Sequence, residues 1–374
     1  MTSDTMKISL FPHSHHNKKI TLILHWIQTN RFSSKSTMRV LTFVTVLITA
    51  ASGFQSSFVP TATAKKPLLV RPSTTGSSTT TIGSTSTSLE MSLFTAIPRG
   101  GADLIAVGAA ALQSGPFGVI SMWGVASAVV VPLTMIRQGY SFSVGYGFSV
   151  MAMGLTLLRV FEPIAPVPLA MVATTIFYGF RLGAFLAIRN ASVPSKAEQM
   201  KNFDKSPRLQ RVPLALGVAL FYAFMTIPAL YACRAGALQG IRQQISMAGT
   251  ALAIIGAVVE AIADGHKFWA KRRSDSSDDA DFVGPTGGVY QICRHPNYLG
   301  ELVFWAGLFV GGAPAFGTSV IAWVASAFGL YGIYGIMSNA SKRLDAKQAE
   351  KYQGQPKYEA WRASVKAELF PFIE

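Results

Sequence analysis

Downstream of residue 116 the chain alternates long apolar runs with short polar breaks. Runs close to the about 20 residues that a helix needs to cross a bilayer extend from Phe117 to Ile136, Phe142 to Leu158, Val167 to Ile188, Val212 to Ala232 and Ile245 to Asp264. Beyond a polar centre come Leu299 to Gly311, which is short, and Phe316 to Met337. Leu104 to Leu112 is shorter still and reads as an interfacial turn of helix or part of an additional span. Period-two alternation is missing, and inside lipid every backbone N–H and C=O must be satisfied within the segment, which leaves helices. The pattern predicts an all-α fold, a polytopic transmembrane helical bundle of six or seven spans.

Placing successive breaks on alternate sides of the membrane puts the charge-rich ones together. Arg189 to Arg211, His266 to Arg294 and the tail from Lys342 to Glu374 fall on one side, called inner here. The outer side receives short connections: Glu162 to Pro166, Arg234 to Arg242 and Gly311 to Ala315. Such asymmetry is how basic residues distribute around membrane spans.

Composition agrees. Of 374 residues 50% are hydrophobic and 14% charged, and the mean hydropathy is +0.34. The net charge of +15 is accounted for by the inner loops and the leader; no nucleic-acid-binding motif accompanies it, so the expected partners are the lipid bilayer and a hydrophobic small molecule, not nucleic acid. Cys233 and Cys293 lie far apart without metal-type spacing, so neither a disulfide framework nor a metal site is indicated.

The first hundred residues read differently. No Asp or Glu occurs from Thr5 to Leu89, and Ser and Thr dominate Ser73 to Ser88, a composition that cannot build a core. Arg39, the apolar run Val40 to Ala51 and the small residues that follow have the layout of a secretory signal. That layout starts at Met38, so the residues before it are expected to be an extension of the gene model. Signal plus acid-free stretch, with Phe58 near the junction, resembles the two-part presequences of plastid proteins in algae. It implies a plastid membrane, the endoplasmic reticulum being the alternative. The expected organisation is a leader over 1–100, N-terminal transmembrane helices over 101–166 and a main membrane domain over 167–374.

Candidate chemistry gathers on the inner side. Arg294-His295-Pro296-Asn297-Tyr298-Leu299-Gly300-Glu301 runs straight into an apolar span. A carboxylate drawn into a membrane helix is costly, which makes Glu301 a functional candidate. Its neighbours supply donors, an acceptor and an aromatic face suited to a phosphate- or ribose-bearing ligand. Glu260, Asp264 and Lys267 recur at spacings of four and three and share a helix face. Glu260 lies a turn inside an apolar run and needs a partner such as Lys267, Arg181 or Arg294. Arg181 is itself a cation within an apolar run. The tail carries Lys342, Arg343, Lys347, Lys351 and Lys357 with Tyr352, Tyr358 and Trp361, and reads as an amphipathic surface segment or as a lid over a polyanion. No GxGxxG follows a strand pattern, so no soluble dinucleotide-binding domain is encoded.

The eight residues from Arg294 to Glu301 resemble the signature of the steroid 5α-reductase C-terminal-like membrane family, relatives of the sterol C14 reductases. Arg181-Leu182-Gly183, the Glu260/Asp264/Lys267 group and the close from Tyr358 to Ile373 resemble further family features, over roughly Val167 to Glu374. The resemblance implies a membrane oxidoreductase using NADPH to reduce a carbon–carbon double bond in a lipid, sterol or isoprenoid. It implies Glu301 and Tyr298 as catalytic, and Asp264, Lys267, Arg294, His295, Asn297, Glu260 and Arg181 as cofactor contacts. One departure stands out: Lys342 to Glu350 lacks the His/Tyr-rich stretch of the steroid reductases, leaving Tyr298, Tyr352 and Tyr358 as proton-donor candidates. Isoprenylcysteine carboxyl methyltransferases look similar around Gly287, Tyr290 and Arg294-His295-Pro296, so an S-adenosylmethionine-dependent methyltransferase is the alternative. A non-enzymatic lipid-binding protein is the third reading.

Overall fold

The computed structural model describes residues 117–162, 164–273 and 281–371. The leader, the segment Leu104 to Leu112 and the proposed start at Met38 lie outside them. Among the described residues the chain forms nine α-helices and no strand. They are α1 (Val119–Ile136), α2 (Val144–Val160), α3 (Pro166–Ser192), α4 (Pro194–Asn202), α5 (Val212–Ala235), α6 (Gly240–Arg273), α7 (Pro296–Gly312), α8 (Val320–Tyr352) and α9 (Pro356–Ser364). Proline stands in the first turn of α3, α4, α5, α7 and α9, where its missing N–H has no intrahelical partner to lose.

Six of these helices, α1, α3, α5, α6, α7 and α8, are long and apolar enough to cross a membrane. The seventh crossing follows from contacts at the two ends of α2, which has 17 residues. Phe117, before α1, packs edge-on against Phe161, after α2, with centroids 6.4 Å apart. At the far end seven residues, 137–143, join α1 to α2, and Arg137 among them pairs with Asp204 at 2.7 Å. Helix α2 therefore runs back the full depth of α1, about 25 Å at 1.5 Å per residue. Large apolar side chains such as Ile255, Val258, Ile262, Val324 and Phe328 stay exposed on the outside of α6 and α8, the surface a bilayer covers. The protein is an integral membrane protein.

Small residues set the tightest approaches. A methyl group added to Gly300 of α7 would stand 2.6 Å from the backbone nitrogen of Glu260 in α6, and one added to Gly147 of α2 would run into the backbone of Gly183 in α3. Close backbone contact of this kind is how helices associate where lipid removes the hydrophobic drive. The same approaches bring Glu260 beside Glu301 and α2 beside Arg181.

Two helices outrun their apolar patterns. Helix α6 continues from Asp264 to Arg273 and α8 from Met337 to Tyr352, carrying both out of the apolar layer on the inner side. The tail then turns back. It is not a solvated surface segment: Tyr352, Tyr358, Trp361 and Val365 are buried with Phe282, Tyr290 and Ala263 in a compact aromatic cap. Tyr290 donates to the Ala263 carbonyl at 3.1 Å and Trp361 to the Tyr290 carbonyl at 3.1 Å.

Candidate functional site

Four helices contribute to a polar network inside the inner half of the bundle. Arg181 of α3 reaches between two carboxylates one turn apart on α6, with Nη2 2.6 Å from Glu260 Oε1 and Nη1 2.7 Å from Asp264 Oδ2. Arg181 is thus the partner that Glu260 needs. Glu301, about 8 Å along α7 from its start and 6% exposed, accepts a 2.8 Å hydrogen bond from the Tyr146 hydroxyl of α2. Tyr146 in turn accepts from the Trp305 indole N–H at 2.7 Å, and Tyr178 Oη lies 3.2 Å away. With its proton on Glu301, Tyr146 has acceptor room for both Trp305 and Tyr178.

Aromatic packing fixes these groups. Tyr178 stacks on Phe304 with centroids 3.8 Å apart, and Tyr222 stacks on Tyr146 at 4.8 Å. Tyr222 is anchored by donating to the Ser141 carbonyl at 2.8 Å. The result is three carboxylates, one directly paired arginine and three hydrogen-bonded phenols in a packed interior. Nevertheless Arg181 Nε and Glu260 Oε2 remain buried without a partner. Buried groups left over in this way are unusual and leave hydrogen-bonding capacity unused.

The remaining motif residues divide between this network and the cap. Arg294 belongs to the cap: Nε and Nη2 donate to Asp345 at 2.7 and 3.2 Å, and Nη1 donates to the Val365 and Lys366 carbonyls at 2.9 and 2.5 Å. Arg362 adds a second cation on Asp345 at 3.0 Å. Backbone N–H groups of Arg294 and His295 donate to the Ala367 and Glu368 carbonyls, and Ser341 donates to the Glu368 carboxylate. The tail is therefore strapped across the start of α7.

His295 is 1% exposed, and neither ring nitrogen has a hydrogen-bond partner. Asp345 lies 3.7 Å away, outside bonding reach. Burial lowers the imidazole pKa below its ordinary value against the opposing pull of Asp345, so the ring is neutral at pH 7. Tyr298 stacks on it with centroids 5.8 Å apart. Asn297 and Tyr298 are half-buried at the same mouth, and Lys267 lies beside Asp264 and His295. Of the three tyrosines offered as donors by sequence, Tyr352 and Tyr358 are in the cap, away from Glu301, and the phenol that bonds Glu301 is Tyr146. A cavity of about 70 Å³ lies between the start of α3 and the α5–α6 connection, at the outer end and away from this network.

Fold and site define a polytopic α-helical membrane protein with a buried acid–arginine–tyrosine network in the half of the bundle nearer its charged face. The chain belongs to a family described as protein of unknown function (DUF1295), whose model matches residues 122–365. That family is in the steroid 5α-reductase-like group. The match takes in most of α1 and all of α2, so Tyr146 lies within the family's domain. No curated protein and no solved structure matches the chain.

Proposed function

We propose that the protein is a membrane oxidoreductase that uses NADPH to reduce a carbon–carbon double bond in a lipid, sterol or isoprenoid substrate. The observation that carries this reading is the hydrogen-bonded pair of Tyr146 and Glu301, flanked by Tyr178 and Trp305 in the bundle interior. Reducing such a bond takes a hydride and a proton, and a phenol bonded to a buried carboxylate is a means of holding that proton in place. Methyl transfer gives such a pair no comparable task.

The residues present fit the cofactor: Arg181 Nε, both nitrogens of His295 and the Asn190 amide are buried polar atoms without partners on the side from which a polar molecule would enter. When bound, NADPH supplies the hydride. Arg181 holds Glu260 and Asp264 in register, and Tyr146 and Glu301 hold a proton between them, on Oη of Tyr146 in its hydrogen bond to the carboxylate, as the source from which the acceptor carbon is protonated. Packed aromatic rings around them keep water out. Arg294, Asn297, Lys267 and Tyr298 surround the entrance, Arg294 acting through the strap it fixes. A plastid membrane is proposed as the location on the leader's composition alone.

The test is thermal stabilisation of the detergent-solubilised protein by NADPH and by S-adenosylmethionine. Stabilisation by NADPH is expected, with lipid-dependent NADPH oxidation. Stabilisation by S-adenosylmethionine alone overturns the proposal.

A further inference from the structure

A guanidinium at the end of a membrane helix is stable when it finds an anion, a set of carbonyls or open water. Arg294 has the first two. Arg189, two turns beyond Arg181 on α3, makes neither a hydrogen bond nor an ion pair among the described residues, and its Nε is buried. It lies over the Phe185 ring, with Cζ 5.7 Å from the centroid, an attraction weaker than a salt bridge. Asp264 and Tyr298 are within its electrostatic reach, but Asp264 is already engaged by Arg181. The Tyr298 hydroxyl is also without a hydrogen bond among the described residues. Its ring lies on His295, whose two nitrogens are unpartnered and 99% shielded as a residue. Asn190, next to Arg189, is 4% exposed with both amide atoms unpartnered.

Unsatisfied groups are scattered singly in most interiors, whereas here Arg189 has the Tyr298 phenol within electrostatic reach and the unpartnered Asn190 amide next to it. Their chemistry is that of a phosphoryl group: a planar cation for its oxygens and neutral donors to complete them. We propose that Arg189, with the Tyr298 hydroxyl held over the shielded His295 ring, binds a phosphoryl group on the inner side of the network. Arg294, the motif arginine, instead holds the strap. The proposal rests on the reductase reading for the carrier of that phosphoryl group, a dinucleotide; the same chemistry would take a lipid phosphate headgroup.

The experiment compares the full chain with Arg189→Met, Arg189→Lys and Tyr298→Phe in detergent and in nanodiscs. Melting is followed with NADPH, with inorganic pyrophosphate, and with phosphatidic acid added to a phosphatidylcholine bilayer. Arg189→Met is expected to weaken NADPH binding roughly tenfold to a hundredfold, the range for losing a hydrogen-bonded charge, with Arg189→Lys in between and unliganded melting unchanged. Equal NADPH affinity in the parent and Arg189→Met overturns the phosphoryl site and leaves the reductase reading standing. If NADPH is inert while pyrophosphate or phosphatidic acid stabilises the parent and not Arg189→Met, the site stands and the reductase reading falls. No stabilisation of the parent by any of the three overturns both. Should Arg189→Met fail to fold, unchanged affinity in both Arg189→Lys and Tyr298→Phe overturns the site.

Discussion

Two ionic clusters stand about two helix turns apart along the motif, and they are built on opposite principles. In the cap, Asp345 receives Arg294 through two nitrogens and Arg362 through a third, and the rest of Arg294 goes to tail carbonyls. In the interior, Arg181 serves two carboxylates while Glu260 Oε2 and its own Nε are left over. A saturated cluster has nothing to offer a ligand and much to offer stability. An unsaturated one is costly to keep in a folded protein unless something else completes it. Nearness to a motif is thus a poor guide to role, whereas the count of unused donors and acceptors is a good one.

The comparison can be broken most sharply through turnover. Tyr146→Phe, which removes the hydroxyl that holds the proton on Glu301, is expected to lower NADPH-dependent reduction by about 10²–10⁴-fold with little change in melting; a large melting loss would make Tyr146 a structural residue like Asp345. Next comes the cap. Asp345→Ala leaves Arg294 buried without its carboxylate and is expected to cost about 3–5 kcal/mol, read as a melting decrease with rapid proteolysis after residue 352. If Asp345→Ala melts normally, the cap is not the saturated structural cluster described here.

A smaller effect is expected at Gly300→Ala, about 1–3 kcal/mol, because the added methyl meets the Glu260 backbone at 2.6 Å. Its activity should fall further than its melting temperature, as Glu260 and Glu301 are pushed apart. Smallest is Asp204. Burial would raise its carboxyl, but Arg137, the Gln138 amide and Arg211 outweigh that and hold its pKa below the ordinary value. A carboxyl so depressed contributes stability that is full above the unfolded pKa of about 3.9 and fades as pH falls through the lower folded one. Asp204→Asn should therefore lower melting by under about 1 kcal/mol at pH 7, the difference from the parent closing below about pH 4. A constant difference down to pH 3 would assign the loss to something other than charge.

Much of this was legible in the chain because membranes impose simple rules. Apolar runs of span length gave α1, α3, α5, α6, α7 and α8, and the side of the charged loops gave the face on which Arg181, Glu260, Asp264 and Glu301 meet. What stayed hidden has a physical reason. Tyr146, Tyr178 and Trp305 sit in apolar helices, where an aromatic residue looks like core. Only the requirement that a hydroxyl or indole N–H in lipid find a partner would have marked them. Asp345 was masked by the lysines of the tail. Its signal was that a lone acid amid Lys342, Arg343 and Lys347 has to face some cation. Arg294 stood inside the most telling motif, but no spacing rule says that its donors are taken by carbonyls seventy residues on.

Seven crossings make an odd number. Phe117 and Pro371 therefore face different compartments. A tag reporting on one described end is shielded from reagents that reach the other, so impermeant labels applied to sealed vesicles would read the protein's orientation directly.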